Sequence, residues 1–182
     1  MKPLTHIIVH CSASAFGCAK VIRQWHLEKG WKDIGYHFVI MNGRPWSSHE
    51  YLMSLDGRTE VGRFLDGDNF IEDNEVGAHT LGYNQNSIGI CLVGPTPITK
   101  GNYAMAPAFY DRLVDKTVNA KGFTEWQIGN LASLCRDLMS RHNIPVSNVL
   151  GHNETASGIK EGKTCPEFEV KQLRELLKPY FV

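Results

Sequence analysis

Three β-branched residues, Ile7-Ile8-Val9, follow one another within the stretch Thr5 to Cys11 with no polar residue between them. A strand of this pattern is buried inside a sheet rather than half-exposed on it. The rest of the chain must therefore supply neighbouring strands and covering layers. Two runs qualify as neighbours. Gly35 to Met41 sets Tyr36, Phe38 and Ile40 on one face against His37, Val39 and Met41 on the other, and stops at the tight-turn pair Asn42-Gly43. Ser87 to Val93 is the most strand-like run in the chain. Shorter strands are predicted near Arg58 to Arg63, after the turn Asp56-Gly57, and over Ser147 to Leu150.

Helices are predicted between these runs. Ala19 to Lys29 carries Val21, Ile22 and Trp25 at helical spacing and stops at Gly30. Pro107 to Val118 is compatible with a second helix. Thr124 and Gln127 form a capping-box pattern ahead of Trp126, Leu131, Leu134, Cys135 and Leu138, which marks a helix running to about His142. Phe168 to Leu177 reads as the last helix, ending before Pro179. Arg44 to Leu55 has no period and leaves room for one helical turn. The acidic stretch Phe64 to Val76 lacks the spacing of a calcium loop and reads as solvated. Strands that alternate with helices, together with at least one hairpin, define an α/β class: a single domain with a central mixed β-sheet flanked by helices. Sites in such sheets gather beyond the strand ends, where His10 and His152 both fall.

With 182 residues and 42% hydrophobic content, the chain can build one ordinary core. Nineteen basic and nineteen acidic residues cancel, so nothing in the charge balance calls for nucleic acid or an anionic membrane. No run approaches the roughly 20 apolar residues of a membrane span, and the N-terminus has no apolar stretch behind its lysine. We expect a soluble chain made in the cytoplasm without a signal peptide or membrane insertion. Five cysteines without a CxxC pair argue against a disulfide framework. Cys91 and Cys135 lie in apolar runs and read as small buried hydrophobes. Cys165, between Lys163-Thr164 and Pro166 in a polar stretch, does not.

His152 and Cys165 stand thirteen residues apart, with Lys163 two before the cysteine. Three meanings are open to them: half of a zinc site, a thiol nucleophile with its base, or two unconnected residues. Adding His10 gives a His-His-Cys set, the kind of three-ligand array that leaves a zinc ion one position for water. Such an ion polarises a carbonyl and brings the pKa of a water towards neutrality. Spacing alone does not choose among the three.

Seven blocks do. Ile7-Ile8-Val9-His10-Cys11-Ser12-Ala13, Ile22-Arg23-Gln24-Trp25-His26, Gly35-Tyr36-His37-Phe38, Gly77-Ala78-His79, Gly82 to Gly94, Gly151-His152-Asn153-Glu154 and Lys163-Thr164-Cys165-Pro166 closely resemble, in order and spacing, the type 2 N-acetylmuramoyl-L-alanine amidases. The likeness is nearest to the small T-odd phage lysozymes, in the superfamily shared with animal peptidoglycan recognition proteins. It covers most of residues 7 to 94 and 123 to 168. Residues 44–55 and 95–122 look like insertions in a single catalytic domain spanning 1–182. The loop between His152 and Cys165 is longer than in the compact phage members, with Ser157 to Gly162 as the extra material.

The resemblance implies an amidase/peptidoglycan recognition protein-like fold and a hydrolase that cuts the bond between N-acetylmuramic acid and L-alanine. It implies one Zn2+ per chain, with His10, His152 and Cys165 as ligands. Tyr36 and Lys163 match the catalytic tyrosine and lysine: an ammonium can stabilise an oxyanion, and a phenol can orient a water or pass a proton. His79 and Asn84 match residues that line the substrate groove. His37 points away from Tyr36 and reads as structural, and His6, His26, His49 and His142 receive no role. The expected partner is peptidoglycan, reached by an endolysin through a membrane hole made by a holin. A bacterial muropeptide-recycling amidase, a noncatalytic peptidoglycan-binding module and a thiol hydrolase are the alternatives. Some phage members bind a phage RNA polymerase through N-terminal residues; only nine residues precede His10 here, which argues against that partner.

Overall fold

The computed structural model describes residues 2–96, 114–115 and 120–178. Its elements are β1 (Lys2–Pro3), β2 (His6–Cys11), α1 (Ala19–Glu28), β3 (Phe38–Asn42), β4 (Asp56–Val61), β5 (Phe70–Ile71), β6 (Ser87–Leu92), β7 (Val114–Asp115), β8 (Ala120–Lys121), α2 (Glu125–His142), β9 (Val149–Gly151), α3 (Ala156–Lys160) and α4 (Val170–Leu177). Five strands form the central sheet in the order β4-β3-β6-β2-β9. β2 is parallel to both β6 and β9, β3 is parallel to β6, and β4 closes the edge antiparallel to β3. The mixed α/β sheet expected from the sequence is the one observed.

The two faces of the sheet are covered differently. Ile7, Val9 and Cys11 of β2 and Ile88, Ile90 and Leu92 of β6 share one core with Ile128, Leu131, Cys135 and Leu138 of α2 and Leu173 and Leu177 of α4. On the opposite face Val39, Cys91 and Val93 pack against Ala19 and Ile22 of α1. Ile7 and Val9 of β2 belong to the first core, and Ile8, of the opposite parity, is fully buried as well, so β2 has no need of a polar face. His10 points to the α1 side, the opposite parity from Val9 and Cys11.

The capping box at the start of α2 is present: Gln127 N–H donates to Thr124 Oγ1 at 3.0 Å and Thr124 N–H to Gln127 Oε1 at 3.1 Å. The same two side chains tie the helix to the sheet. Gln127 Nε2 donates to the carbonyls of Val93 at 2.8 Å and Ile40 at 3.2 Å, and Thr124 Oγ1 donates to Asp56 Oδ1 at 2.6 Å. Asn143 ends the helix in the left-handed conformation (φ 52°).

Some elements differ from expectation. The strand predicted from Gly35 begins only at Phe38, because Tyr36 and His37 belong to a bent lead-in whose carbonyls accept Arg63 N–H and Gly62 N–H. The acidic stretch 64–76 is not wholly loop: β5 lies within it and pairs antiparallel with β1. The last helix starts at Val170 rather than Phe168, which is buried in the core instead. Val114 and Asp115 pair with Ala120 and Lys121 as strands, so a helix does not run through them; the rest of the helix predicted over 107–118 lies outside the described residues. The extra material before Lys163 is a short helix, α3, capped by Thr155, whose Oγ1 accepts Gly158 N–H at 3.1 Å. Among the described residues no helix is long and apolar enough to cross a membrane.

Candidate active site

Val9 and Gly151 are partners in the parallel ladder of β2 and β9. The residues that follow them, His10 and His152, consequently stand side by side, with ring centroids 4.7 Å apart. The chain returns to this point after α3. Asn153 N–H donates to the Cys165 carbonyl at 2.9 Å, and Cys11 N–H donates to Cys165 Sγ at 3.1 Å. One ligating atom from each of His10, His152 and Cys165 thus falls within 4.8 Å of the other two.

The His10 ring is buried and held on both sides. Its Nδ1 lies 3.9 Å from Cys165 Sγ, while Nε2 meets His79 Nδ1 at 3.1 Å and Thr80 Oγ1 at 3.2 Å. With Nδ1 turned to the thiol, the assignment that satisfies the network makes Nε2–H the donor to the His79–Thr80 pair. Burial, then the neighbouring His79 and His152, hold the His10 pKa well below its ordinary value. Burial, then the Lys163 charge, also lowers that of His152, with Glu161 opposing. The Cys165 thiol is pushed up, first by its hydrogen bond with the Cys11 thiol and next by burial. Two neutral imidazoles and a thiol are a donor set that fits zinc, whose binding displaces the thiol proton.

Tyr36 sits beside this cluster, its ring centroid 5.1 Å from that of His10. Burial first, and the nearby thiols Cys91, Cys165 and Cys11 next, raise its pKa well above the ordinary phenol value. Its hydroxyl is therefore protonated at neutral pH and able to donate a hydrogen bond. Lys163 is half-exposed at the rim, 3.1 Å from Glu161 Oε2, close enough to lower the His152 pKa.

His79 and Asn84, expected at the substrate groove, both make contacts that bear on His10. His79 is buried behind His10, packed so tightly on β6 that a Cβ at Gly89 would lie 2.6 Å from its ring. Asn84 Oδ1 accepts the backbone N–H groups of His79 at 2.9 Å and Thr80 at 2.8 Å. Both therefore support the His10 ring. His37 is buried as expected for a structural residue: Nδ1 accepts Gly89 N–H at 2.9 Å and Nε2–H donates to the Glu75 carbonyl at 2.9 Å. His26, given no role by sequence, accepts Gly35 N–H at 3.0 Å and places its ring 5.5 Å from Tyr36. It props the lead-in that carries the tyrosine.

Two further supports escaped the sequence reading. Arg174 of α4 grips Glu154 with two hydrogen bonds of 2.7 and 2.8 Å, and Glu154 Oε2 accepts Gly151 N–H at 2.9 Å. Burial raises the Glu154 carboxyl, but the Arg174 hydrogen bonds outweigh it and leave the pKa below its usual value. This clamp fixes the turn that carries His152. We expect Glu154→Ala to cost about 2 kcal/mol, since it leaves a half-buried guanidinium and a backbone N–H without their partner. Urea unfolding at neutral pH measures this, and a change below roughly 0.5 kcal/mol would show the clamp to be incidental. The second support is Gly158, in the longer loop, where a Cβ would overlap the His152 carbonyl. A glutamate two residues before a short helix and one glycine inside it carry no signal that sequence alone could have read as site support.

The chain folds as solved peptidoglycan amidases and recognition proteins do. It superposes on the N-acetylmuramoyl-L-alanine amidase LysC from Clostridium intestinale with a TM-score of 0.62 and 21% identity, covering 97% of this chain and 86% of that one. On wild-type Drosophila PGRP-LB the TM-score is 0.55 at 22% identity, over 100% and 85% of the two chains. The family model for N-acetylmuramoyl-L-alanine amidase matches residues 1–168. The endolysin of Escherichia phage T7 is 34% identical over 169 residues, 91% of this chain and 82% of that protein. The chain belongs to the N-acetylmuramoyl-L-alanine amidase family, whose enzymes hydrolyse an amide bond of peptidoglycan.

Proposed function

We propose that this chain is a zinc-dependent endolysin that cleaves the amide between the lactyl group of N-acetylmuramic acid and the L-alanine of the stem peptide. The observation that carries the metal assignment is the convergence of His10, His152 and Cys165, with ligating atoms within 4.8 Å of one another. These three residues would hold one ion, which supplies a Lewis acid for the scissile carbonyl and acidifies a water. Tyr36 donates a hydrogen bond that orients the reacting groups, in keeping with its raised pKa. Lys163 swings from Glu161 to meet the negative charge that develops on the carbonyl oxygen. His79, Thr80 and Asn84 act on His10, fixing the ring that presents Nδ1.

The lytic role is supported by the 34% identity to the T7 endolysin. In this reading residues 1–182 form one catalytic domain, with 44–55 and 95–122 as insertions, and a partner's membrane hole gives access to the wall. Digestion of purified sacculi by the zinc-loaded protein, followed by mass spectrometry, tests it. Free stem peptides beginning with L-alanine and intact glycan strands are expected. Shortened glycan strands, or peptides cut internally, would overturn the bond assignment. Cleavage confined to soluble anhydro-muropeptides would replace the endolysin by a recycling enzyme.

A further inference from the structure

A concavity of about 400 Å³ runs along α1 and is lined by Phe16, Lys20, Gln24, Trp25, Trp46 and Ser47 among others. Its volume is in the range of sites for small ligands. Three of its walls are aromatic. The Phe16 and Trp25 rings meet edge to face, with centroids 5.7 Å apart. The Trp46 indole stays 42% exposed although it is braced by His49, whose ring lies 5.0 Å away and whose N–H donates to the Trp46 carbonyl at 3.1 Å. An indole held in place yet left in water has apolar surface to give to a ligand.

The rim chooses the ligand. Gln24 offers an amide, Ser47 a hydroxyl, and the charge of Lys20 is offset by Glu28 on the same helix, where Gln24 Nε2 donates to Glu28 Oε1 at 3.0 Å. An anionic polymer would find no excess of cations here, and an apolar peptide would leave these polar groups unpaired. A pyranose suits both parts: its C–H face lies on an aromatic ring while its hydroxyl and acetamido groups reach a polar rim. Trp25 of this pocket and Tyr36 of the candidate site pack against the same core cluster of Ala19, Ile22, Val39 and Cys91.

We propose that the Phe16–Trp25–Trp46 pocket is an accessory saccharide subsite that holds an N-acetylated sugar of the glycan strand beyond the scissile muramyl residue. The inference rests on the peptidoglycan amidase reading above, and it makes the enzyme favour polymer over soluble muropeptide.

Two measurements judge it. Titration of the full chain with N-acetylglucosamine oligomers should change tryptophan fluorescence saturably; followed by calorimetry, which does not depend on the indole as reporter, the same titration should show binding lost in Trp46→Ala and largely kept in Trp46→Phe, which keeps an aromatic face. In parallel, the ratio of kcat/KM on sacculi to that on a soluble muramyl tripeptide should fall roughly tenfold in Trp46→Ala. An unchanged ratio, or an equal loss on both substrates, overturns the subsite, as does the absence of saturable oligomer binding by the unmodified chain. If the unmodified chain hydrolyses neither substrate, the amidase reading fails, while the fluorescence titration still decides whether the pocket takes sugar.

Discussion

Cys165→Ala is expected to lower amide hydrolysis by at least about 10³-fold, more than the loss of a single oxyanion donor costs in other hydrolases. The reason is the site's economy of ligands. His10 and His152 alone would leave an ion with two protein donors, fewer than catalytic zinc sites use. Chelation should act in the same way on the unmodified chain, and added zinc should restore turnover. The fold should survive the substitution, since Cys165 lies half-buried in a loop and the loss is mainly the acceptor of the Cys11 N–H together with weak thiol contacts to Cys11 and His10, at a cost of about 1 kcal/mol. Zinc content measured beside turnover on a soluble muramyl peptide separates the two effects. Full activity in the alanine variant would exclude Cys165 from the machinery. Chelated protein that stays fully active but is killed by alkylation would instead make Cys165 a nucleophile.

Acid should destabilise the metal-free protein well before its carboxylates titrate. Burial lowers the pKa of His37 to about 4, outweighing the favourable Glu75 carbonyl. His26 is also lowered to about 4, by burial first and by Lys29 and Arg63 next. Each ring uses Nδ1 as an acceptor, for Gly89 N–H and Gly35 N–H respectively, so each must stay neutral in the folded state. The unfolded chain takes up these protons near pH 6.5 and the folded chain only near 4. Stability is therefore fully present above about pH 6.5 and is lost as the pH falls towards 4, because the unfolded state binds more protons in that window. For the fully buried His37 the loss approaches 3 kcal/mol in order of magnitude. Urea unfolding at pH 7 and 4.5 in chelator should show the decline, and His37→Gln should flatten it while lowering stability at pH 7. Equal stability at both pH values would refute this account.

The sequence was most readable where local rules and burial agree. β2 and β6 announce themselves by runs of β-branched and apolar residues because both faces of each strand are buried. Thr124 and Gln127 mark the start of α2 since their reciprocal bonds are local. His10, His152 and Cys165 were legible as chemistry, and the resemblance placed them together; their ladder of Val9 and Gly151 is a long-range fact of strand order. What could not be read depends on tertiary packing. His79 turns inward because Gly89 leaves space for its ring, and nothing in Gly77-Ala78-His79 distinguishes that from an outward-facing loop. Arg174 meets Glu154 across twenty residues, and β1 finds β5 across most of the N-terminal half. Tyr36 leaves the strand predicted for it because Gly62 and Arg63 bind its lead-in.

The pairing of Val9 with Gly151 also divides the cluster into two parts. Closing the sheet is enough to bring the two imidazoles together, so that half of the cradle is built by folding itself. The thiol arrives on a separate arm, latched by the Asn153 N–H to the Cys165 carbonyl and strutted by the short helix around Gly158. In a zinc finger, where metal and fold are one equilibrium, losing the ion means unfolding. Here the strand pairing that brings the imidazoles together makes no use of the thiol arm, so removing a bound ion would leave the sheet intact.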